Sequence, residues 1–200
     1  MRALFDEAEA AFKAAAHAFS IPKTDRGSDR ARLAGLALAF QANHCISQCN
    51  NDEAVVLAGH ALEFLDEKRE PRETAFAILT WGVALVWSGK EQQGFDACKS
   101  AIQLYRTTDD GWGTARALNV FGMECRDWAG PVTSEAYYRE SIAIQQALGN
   151  QTVFMPNSLR GLGYVRIEQG DYAEGLRLLH EALALCERIG DRWCERICLR

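Results

Sequence analysis

The segment RALNVFG at residues 116–122 and the segment NSLRGLG at residues 157–163 both place a glycine after a large apolar residue. Their last residues, Gly122 and Gly163, are 41 positions apart. Small residues continue this track toward the N-terminus at spacings of 40, namely Gly82 and Ala42. Self-similarity at a period of about 40 residues indicates a repeat architecture.

A second track of small residues keeps the same period, namely Ala61, Ala101, Ser141 and Ala182. Each period contains two segments with apolar residues at helical spacing, separated by a turn such as Ser88-Gly89-Lys90. The pattern therefore predicts pairs of antiparallel helices. Because a glycine inside a helix costs about 1 kcal/mol relative to alanine, we expect a close helix crossing at each one. We expect the second track to supply the small residues opposite these glycines.

Composition supports an all-α fold and excludes several classes of function. Alanine and leucine supply 30 and 20 residues, whereas valine and threonine supply 8 each. The net charge of -5 gives no basic excess for direct binding to nucleic acid or to a membrane surface. The N-terminus lacks a signal sequence, and the longest apolar run, 75–87, is too short to cross a bilayer. We therefore expect a soluble, cytoplasmic protein.

The segment GDYAEG at residues 170–175, followed by Glu181-Ala182-Leu183, resembles the tetratricopeptide repeat (TPR). The 40-residue period is similar to the long variants in bacterial signalling ATPases, large transcriptional activators and kinesin light chains. The resemblance covers roughly residues 29–190 and implies an all-α solenoid of stacked antiparallel helix pairs in a right-handed superhelix. The first repeat departs from it, with Ala42 for glycine and Cys49 near the turn.

The register predicts a single TPR-like domain over residues 1–200. Its predicted parts are a helix at 2–19, helix pairs near 30–67, 71–107, 113–148 and 153–189, and the start of a further helix at 191–200. Since apolar residues such as Trp193 follow the last pair instead of a polar cap, we expect a fragment of a longer array. Exposed apolar ends also predict a tendency to form a homodimer.

The resemblance implies that a stripe on the first helix of each pair lines a concave groove. The residues predicted to bind a ligand there are Asn43, Phe76, Arg116, Asn119, Met123, Arg126, Asn157, Arg160 and Tyr164. Asparagine can hydrogen-bond a peptide backbone, and arginine can bind a carboxylate. We expect a protein partner, either a peptide or a helix with an apolar part and an acidic part. The alternative is that these arginines are solvated surface and the apolar residues pack against their own neighbours.

No motif predicts catalysis, a metal site or a cofactor. GLGYVR at 161–166 lacks the third glycine of a dinucleotide loop and lies within a helical pattern, and Ala184 stands where a zinc-protease helix would need its second histidine. Cys45 and Cys49, like Cys194 and Cys198, are spaced to share a metal, but buried reduced thiols fit the pattern better. We therefore expect a non-enzymatic interaction scaffold. The alternative function is an effector-sensing segment of a multidomain transcriptional activator or signalling ATPase.

Overall fold

Helical structure dominates residues 28–149 and 154–190, which are the residues that the computed structural model describes. Eight helices lie in these ranges: α1 (Asp29–Ser47), α2 (Asn51–Phe64), α3 (Pro71–Trp87), α4 (Glu91–Arg106), α5 (Gly111–Ala129), α6 (Pro131–Ala147), α7 (Phe154–Glu168) and α8 (Tyr172–Ile189). The predicted all-α class is confirmed. The helices predicted at 2–19 and 191–200 lie outside the described residues.

The helices divide into two compact units, residues 1–108 with α1 to α4 and residues 109–200 with α5 to α8. Within each unit, two antiparallel pairs pack side by side, and the first helix of one pair contacts the first helix of the next. In the first unit, Arg32 of α1 donates to Glu73 of α3 at 3.1 Å. A single repeat domain over the whole chain remains a prediction.

Local sequence signals set the helix ends. Ser28, Asp110 and Asp171 are N-cap residues whose side-chain oxygens accept hydrogen bonds from backbone N–H groups in the first turn. Pro71 and Pro131 occupy first-turn positions, where a missing N–H leaves no hydrogen bond unmade.

One residue in the turn between the helices of each pair has a positive φ angle. It is glycine in three pairs, with φ of 78° at Gly89, 83° at Gly130 and 85° at Gly170. In the first pair it is Cys49, with φ of 59°. Since a side chain is disfavoured in this region, the departure of the first repeat from glycine places local strain at Cys49.

The glycines inside the first helices do mark close crossings, but their partners differ from the sequence expectation. A Cβ on Gly82 would lie 2.8 Å from the carbonyl oxygen of Gly94, and a Cβ on Gly163 would lie 3.1 Å from that of Gly175. These partners are 12 residues along the chain and belong to neither predicted track. The turn between two helices determines which residues of one helix lie opposite which residues of the other. Residue spacing within each helix therefore could not identify these partners.

The second track of small residues forms a separate close approach within the same pairs. A Cβ on Gly35 would lie 3.1 Å from the carbonyl oxygen of Ala61. In the third pair, the Ser141 hydroxyl donates to the carbonyl oxygen of Ala115 at 2.7 Å. Both contacts join residues 26 positions apart in the sequence. In these pairs, the second track therefore marks another point along the helices at which the two backbones approach closely.

The third pair combines a small crossing residue with a buried aromatic ring. Ser134 of α6 donates through Oγ to the carbonyl oxygen of Gly122 at 2.6 Å. Tyr138, one turn further along α6, lies between Gly122 and Gly161, and its ring is closest to Gly161. Burial raises the pKa of Tyr138 to about 12, because desolvation penalises the phenolate.

Each of the four described helix pairs buries one free cysteine. These are Cys45 in α1, Cys98 in α4, Cys125 in α5 and Cys186 in α8. The expectation of buried thiols is confirmed at these positions and is wrong for Cys49, which is exposed in its turn. Cys194 and Cys198 lie outside the described residues.

Candidate functional site

The first helices of the second unit, α5 and α7, lie side by side and carry seven of the nine predicted ligand-binding residues. We call this surface the α5–α7 face. The residues that define it are Arg116, Asn119, Met123 and Arg126 on α5, with Asn157, Arg160 and Tyr164 on α7. Since the two helices contact each other, these side chains belong to neighbouring elements of the second unit.

Arg160 is the central cation of the α5–α7 face. Its guanidinium lies 5.7 Å from the centre of the Tyr164 ring, within the range of a cation–π interaction. Its Nη2 donates to Asn157 Oδ1 at a long distance of 3.5 Å. Its Nε is buried without a hydrogen-bond partner, and no carboxylate in the described part of the chain lies within ion-pair distance of it. Arg160 is therefore a half-buried cation whose charge is not paired within the described residues.

The other predicted residues of the face differ in how much of each side chain is available to a ligand. Arg126 makes an ion pair with Glu168 across the face, with Nε 3.6 Å from Oε1. Met123 is 46% exposed, so it offers an apolar surface beside these charges. Arg116 is half-buried on α5. The face thus combines positive charge, an aromatic ring and an exposed thioether.

Asn119 belongs to a buried polar network that the sequence did not predict. Its Nδ2 donates to Ser158 Oγ on α7 at 3.0 Å. Gln145 of α6 donates to Ser158 Oγ at 3.2 Å and to Ser141 Oγ at 3.1 Å. Ser141, Ser158 and Gln145 are all at most 1% exposed. The network therefore joins the α5–α7 face to the interior of the unit.

In the sequence, these contacts between helices could have been recognised from complementary polar residues about one repeat period apart. Asn119 and Ser158 are 39 positions apart, and Arg126 and Glu168 are 42 apart. Residues at this spacing lie at similar levels on adjacent first helices. A search for polar pairs at the repeat period would have found both.

The two predicted residues of the first unit are placed very differently from each other. Asn43 is exposed on α1. Phe76 on α3 is only 7% exposed, and its ring centre lies 4.8 Å from that of Phe40. Most of the apolar surface of Phe76 is therefore buried by packing within the unit.

Arg139 of α6 and Arg177 of α8 are already paired with carboxylates. Glu135 accepts hydrogen bonds from Arg139 Nε and Arg166 Nη2, each at 2.7 Å, and from Gln169 at 3.0 Å. Burial alone would raise the pKa of Glu135, but the hydrogen bonds and the charges of both arginines outweigh it and lower the pKa. Arg177 donates to both oxygens of Glu174 at 2.7 and 2.8 Å, which lowers the pKa of Glu174.

A shallow cleft of about 280 Å³ separates α6 from α8, with Leu159 and Leu162 of α7 among its lining residues and Arg139 and Arg177 on its sides. Sequence patterns gave no sign of this cleft. Because Glu135 and Glu174 neutralise these arginines, the cleft has little charge left for an ionic ligand. Through Arg160, the α5–α7 face offers a cation that no carboxylate among the described residues neutralises.

No cluster of three or more histidine, cysteine, aspartate or glutamate side chains able to hold a metal ion occurs within residues 28–149 and 154–190. In the same ranges, no helix is both long enough and apolar enough to cross a membrane.

The fold and the helix pairing together fit a helical repeat of the TPR-like type. Among solved structures, the chain is similar to BtubC (BKLC) from P. vanneervenii, with a TM-score of 0.73 and 13% identity over 97% of this chain and 87% of that one. It is also similar to MamA, with a TM-score of 0.58 and 18% identity over 94% of this chain and 91% of that one. A further MamA structure has a TM-score of 0.55 and 14% identity over 94% of this chain and 96% of that one.

No protein-family model matches the sequence, and no curated protein does either. The likeness to solved structures concerns the fold.

Proposed function

We propose that the protein is an interaction scaffold that binds a peptide or a partner helix on the α5–α7 face. The long-repeat TPR variant, whose first helices line the ligand groove, is the architecture that we assign to it. Binding would depend on a few anchors and would require no catalytic group.

Arg160 is the observation that carries this proposal. Arg139 of α6 and Arg177 of α8 each have a glutamate partner at 2.7 Å, whereas Arg160 has only the long contact with Asn157. Moving its guanidinium onto an incoming carboxylate or carbonyl would therefore break little existing bonding. A half-buried arginine stacked on an aromatic ring is also typical of the anchors that dominate protein interfaces.

The surroundings of Arg160 fit a ligand with mixed character. Met123 provides an exposed apolar surface, while Asn119 and Asn157 provide polar groups on adjacent helices. A peptide with an acidic residue next to an apolar one would match both features. Arg116 and Arg126 place two further guanidinium groups on the face.

Peptide selection tests the proposal. A random dodecapeptide library displayed on phage would be selected against the chain, and enriched peptides would be synthesised with both ends capped. We expect binding that falls about 10-fold or more in the double variant Arg116→Glu, Arg160→Glu. Isothermal titration calorimetry measures the affinity, and circular dichroism verifies that the variant is folded.

The double variant Arg69→Glu, Arg188→Glu is the matched control, because it reverses two exposed arginines and changes the net charge equally. If the first double variant does not fold, Arg160→Gln replaces it. Equal loss of binding in the control and the α5–α7 variant would refute the site. Failure to enrich any peptide would refute the proposed function.

A further inference from the structure

In the buried network around Asn119, the distances determine which atom accepts the hydroxyl proton of each serine. Ser141 donates its proton to the carbonyl oxygen of Ala115 at 2.7 Å. Ser141 and Ser158 lie 3.1 Å apart between their hydroxyl oxygens, and Ser141 has no second proton for that contact. Ser158 must therefore be the donor to Ser141.

The oxygen of Ser158 then accepts from two amides, Gln145 at 3.2 Å and Asn119 at 3.0 Å. A hydroxyl oxygen has two lone pairs, so its accepting capacity is full and its proton is used. If the Asn119 amide were inverted, its Oδ1 would face an oxygen with no proton to give. The network therefore favours the orientation in which Nδ2 points inward to Ser158.

The carbonyl oxygen of the Asn119 side chain is left available by this orientation. Asn119 Oδ1 accepts no hydrogen bond from the described residues, and it is not among their buried atoms that lack a partner. Asn119 is half-buried, and Oδ1 is the part of its amide not committed to the interior. It can accept a hydrogen bond from a ligand.

We propose that Ser158 is a positioning residue that makes Asn119 a hydrogen-bond acceptor on the α5–α7 face, so that the ligand presents a main-chain N–H there. An extended peptide supplies such N–H groups at regular intervals, whereas a carboxylate would be repelled by Oδ1. The same ligand presents an acceptor to Arg160. Asn119 therefore recognises a donor of the ligand, and Arg160 recognises an acceptor. This inference rests on the proposed function.

The free protein provides the first test, which needs no ligand. In a ¹⁵N-labelled chain, the Asn119 side-chain amide is assigned from the signal lost in Asn119→Asp. We expect one Nδ2 proton to exchange slowly with water, and we expect the Ser158→Ala variant to lose that protection. Ser134→Ala is the matched control, since it removes another fully buried serine hydroxyl that bonds Gly122 instead of Asn119. Equal exchange in wild type and Ser158→Ala would overturn the positioning role.

The second test uses the capped dodecapeptides and a set of analogues carrying a single main-chain N-methyl group at each position. One N-methyl position should weaken binding to wild type by about 2- to 10-fold, the range of one hydrogen bond. That loss should disappear in Asn119→Ala and shrink in Ser158→Ala, but persist in Ser134→Ala. A purely structural effect of Ser158 would weaken all analogues equally.

The N-methyl analogues also separate the two ligand chemistries. If the ligand donates an N–H to Asn119, Asn119→Ala should lower peptide affinity by about 2- to 10-fold and abolish the effect of one N-methyl group. The same loss of affinity with every N-methyl effect retained would overturn the inference in favour of an acceptor ligand. Slow exchange at Asn119 without any peptide binding would support the positioning role and overturn the ligand assignment together with the proposed function.

Discussion

Gly82 and Gly94 face each other where α3 crosses α4, and a Cβ on Gly94 would lie 2.6 Å from the carbonyl oxygen of Gly82. We expect Gly94→Ala to lower the free energy of unfolding by about 1–3 kcal/mol, because the backbones must move apart. Urea denaturation followed by circular dichroism measures the change. Gly59→Ala is the control, since only Trp81 comes near that position, at 3.9 Å. The control should gain about 0.5–1 kcal/mol, and equal changes in both variants would contradict the close crossing.

Replacement of Cys49 by glycine should stabilise the protein by about 1 kcal/mol, because its φ of 59° disfavours any side chain. Cys49→Ala removes the same thiol but retains a Cβ, so it should leave the free energy of unfolding nearly unchanged. Thermal unfolding of both variants provides the comparison. Equal stability of the glycine and alanine variants would show that the turn is not strained.

Removal of the Glu135 charge should destabilise the second unit in a pH-dependent manner. Glu135→Gln weakens the contacts with Arg139 and Arg166, and we expect a loss of about 1 kcal/mol at pH 7. Because the folded-state pKa of Glu135 is lowered from 4.5, this stabilisation is complete above that pH and disappears as the pH falls through the lowered pKa.

Urea midpoints measured from neutral pH down into the acid range test this dependence. Glu187→Gln, at an exposed position, should match wild type throughout. A constant difference between wild type and Glu135→Gln at all pH values would exclude the charge as its cause.

The Tyr138 ring leaves no room for a side chain at Gly161. Gly161→Ala should cost about 1–3 kcal/mol, since α7 must move away from the ring. In the double variant with Tyr138→Leu, part of this cost should be recovered, giving a coupling of about 1 kcal/mol in a double-mutant cycle. Additive effects would mean that the ring is not what excludes the side chain.

Periodicity in the sequence was sufficient to predict the helix pairs, because the small residue at Gly82, Gly122 and Gly163 is required by packing that each repeat shares. It did not identify Gly94 or Gly175 as their partners, since the relative level of two helices depends on the turn that joins them. Among site residues, the sequence predicted a ligand-binding role for Arg160, which stays a prediction. Its lack of a carboxylate partner depends on three-dimensional neighbours, as does the orientation of Asn119.

The buried cysteines give the protein a set of built-in probes of local opening. Since Cys45, Cys98, Cys125 and Cys186 each lie in a different helix pair, the rate at which a thiol reagent modifies each one reports the opening of that pair alone. Mass spectrometry of the four peptides would then give a stability profile along the repeats without a single engineered label. In an array whose stability is a sum of local and nearest-neighbour contributions, such a profile would show which pair opens first.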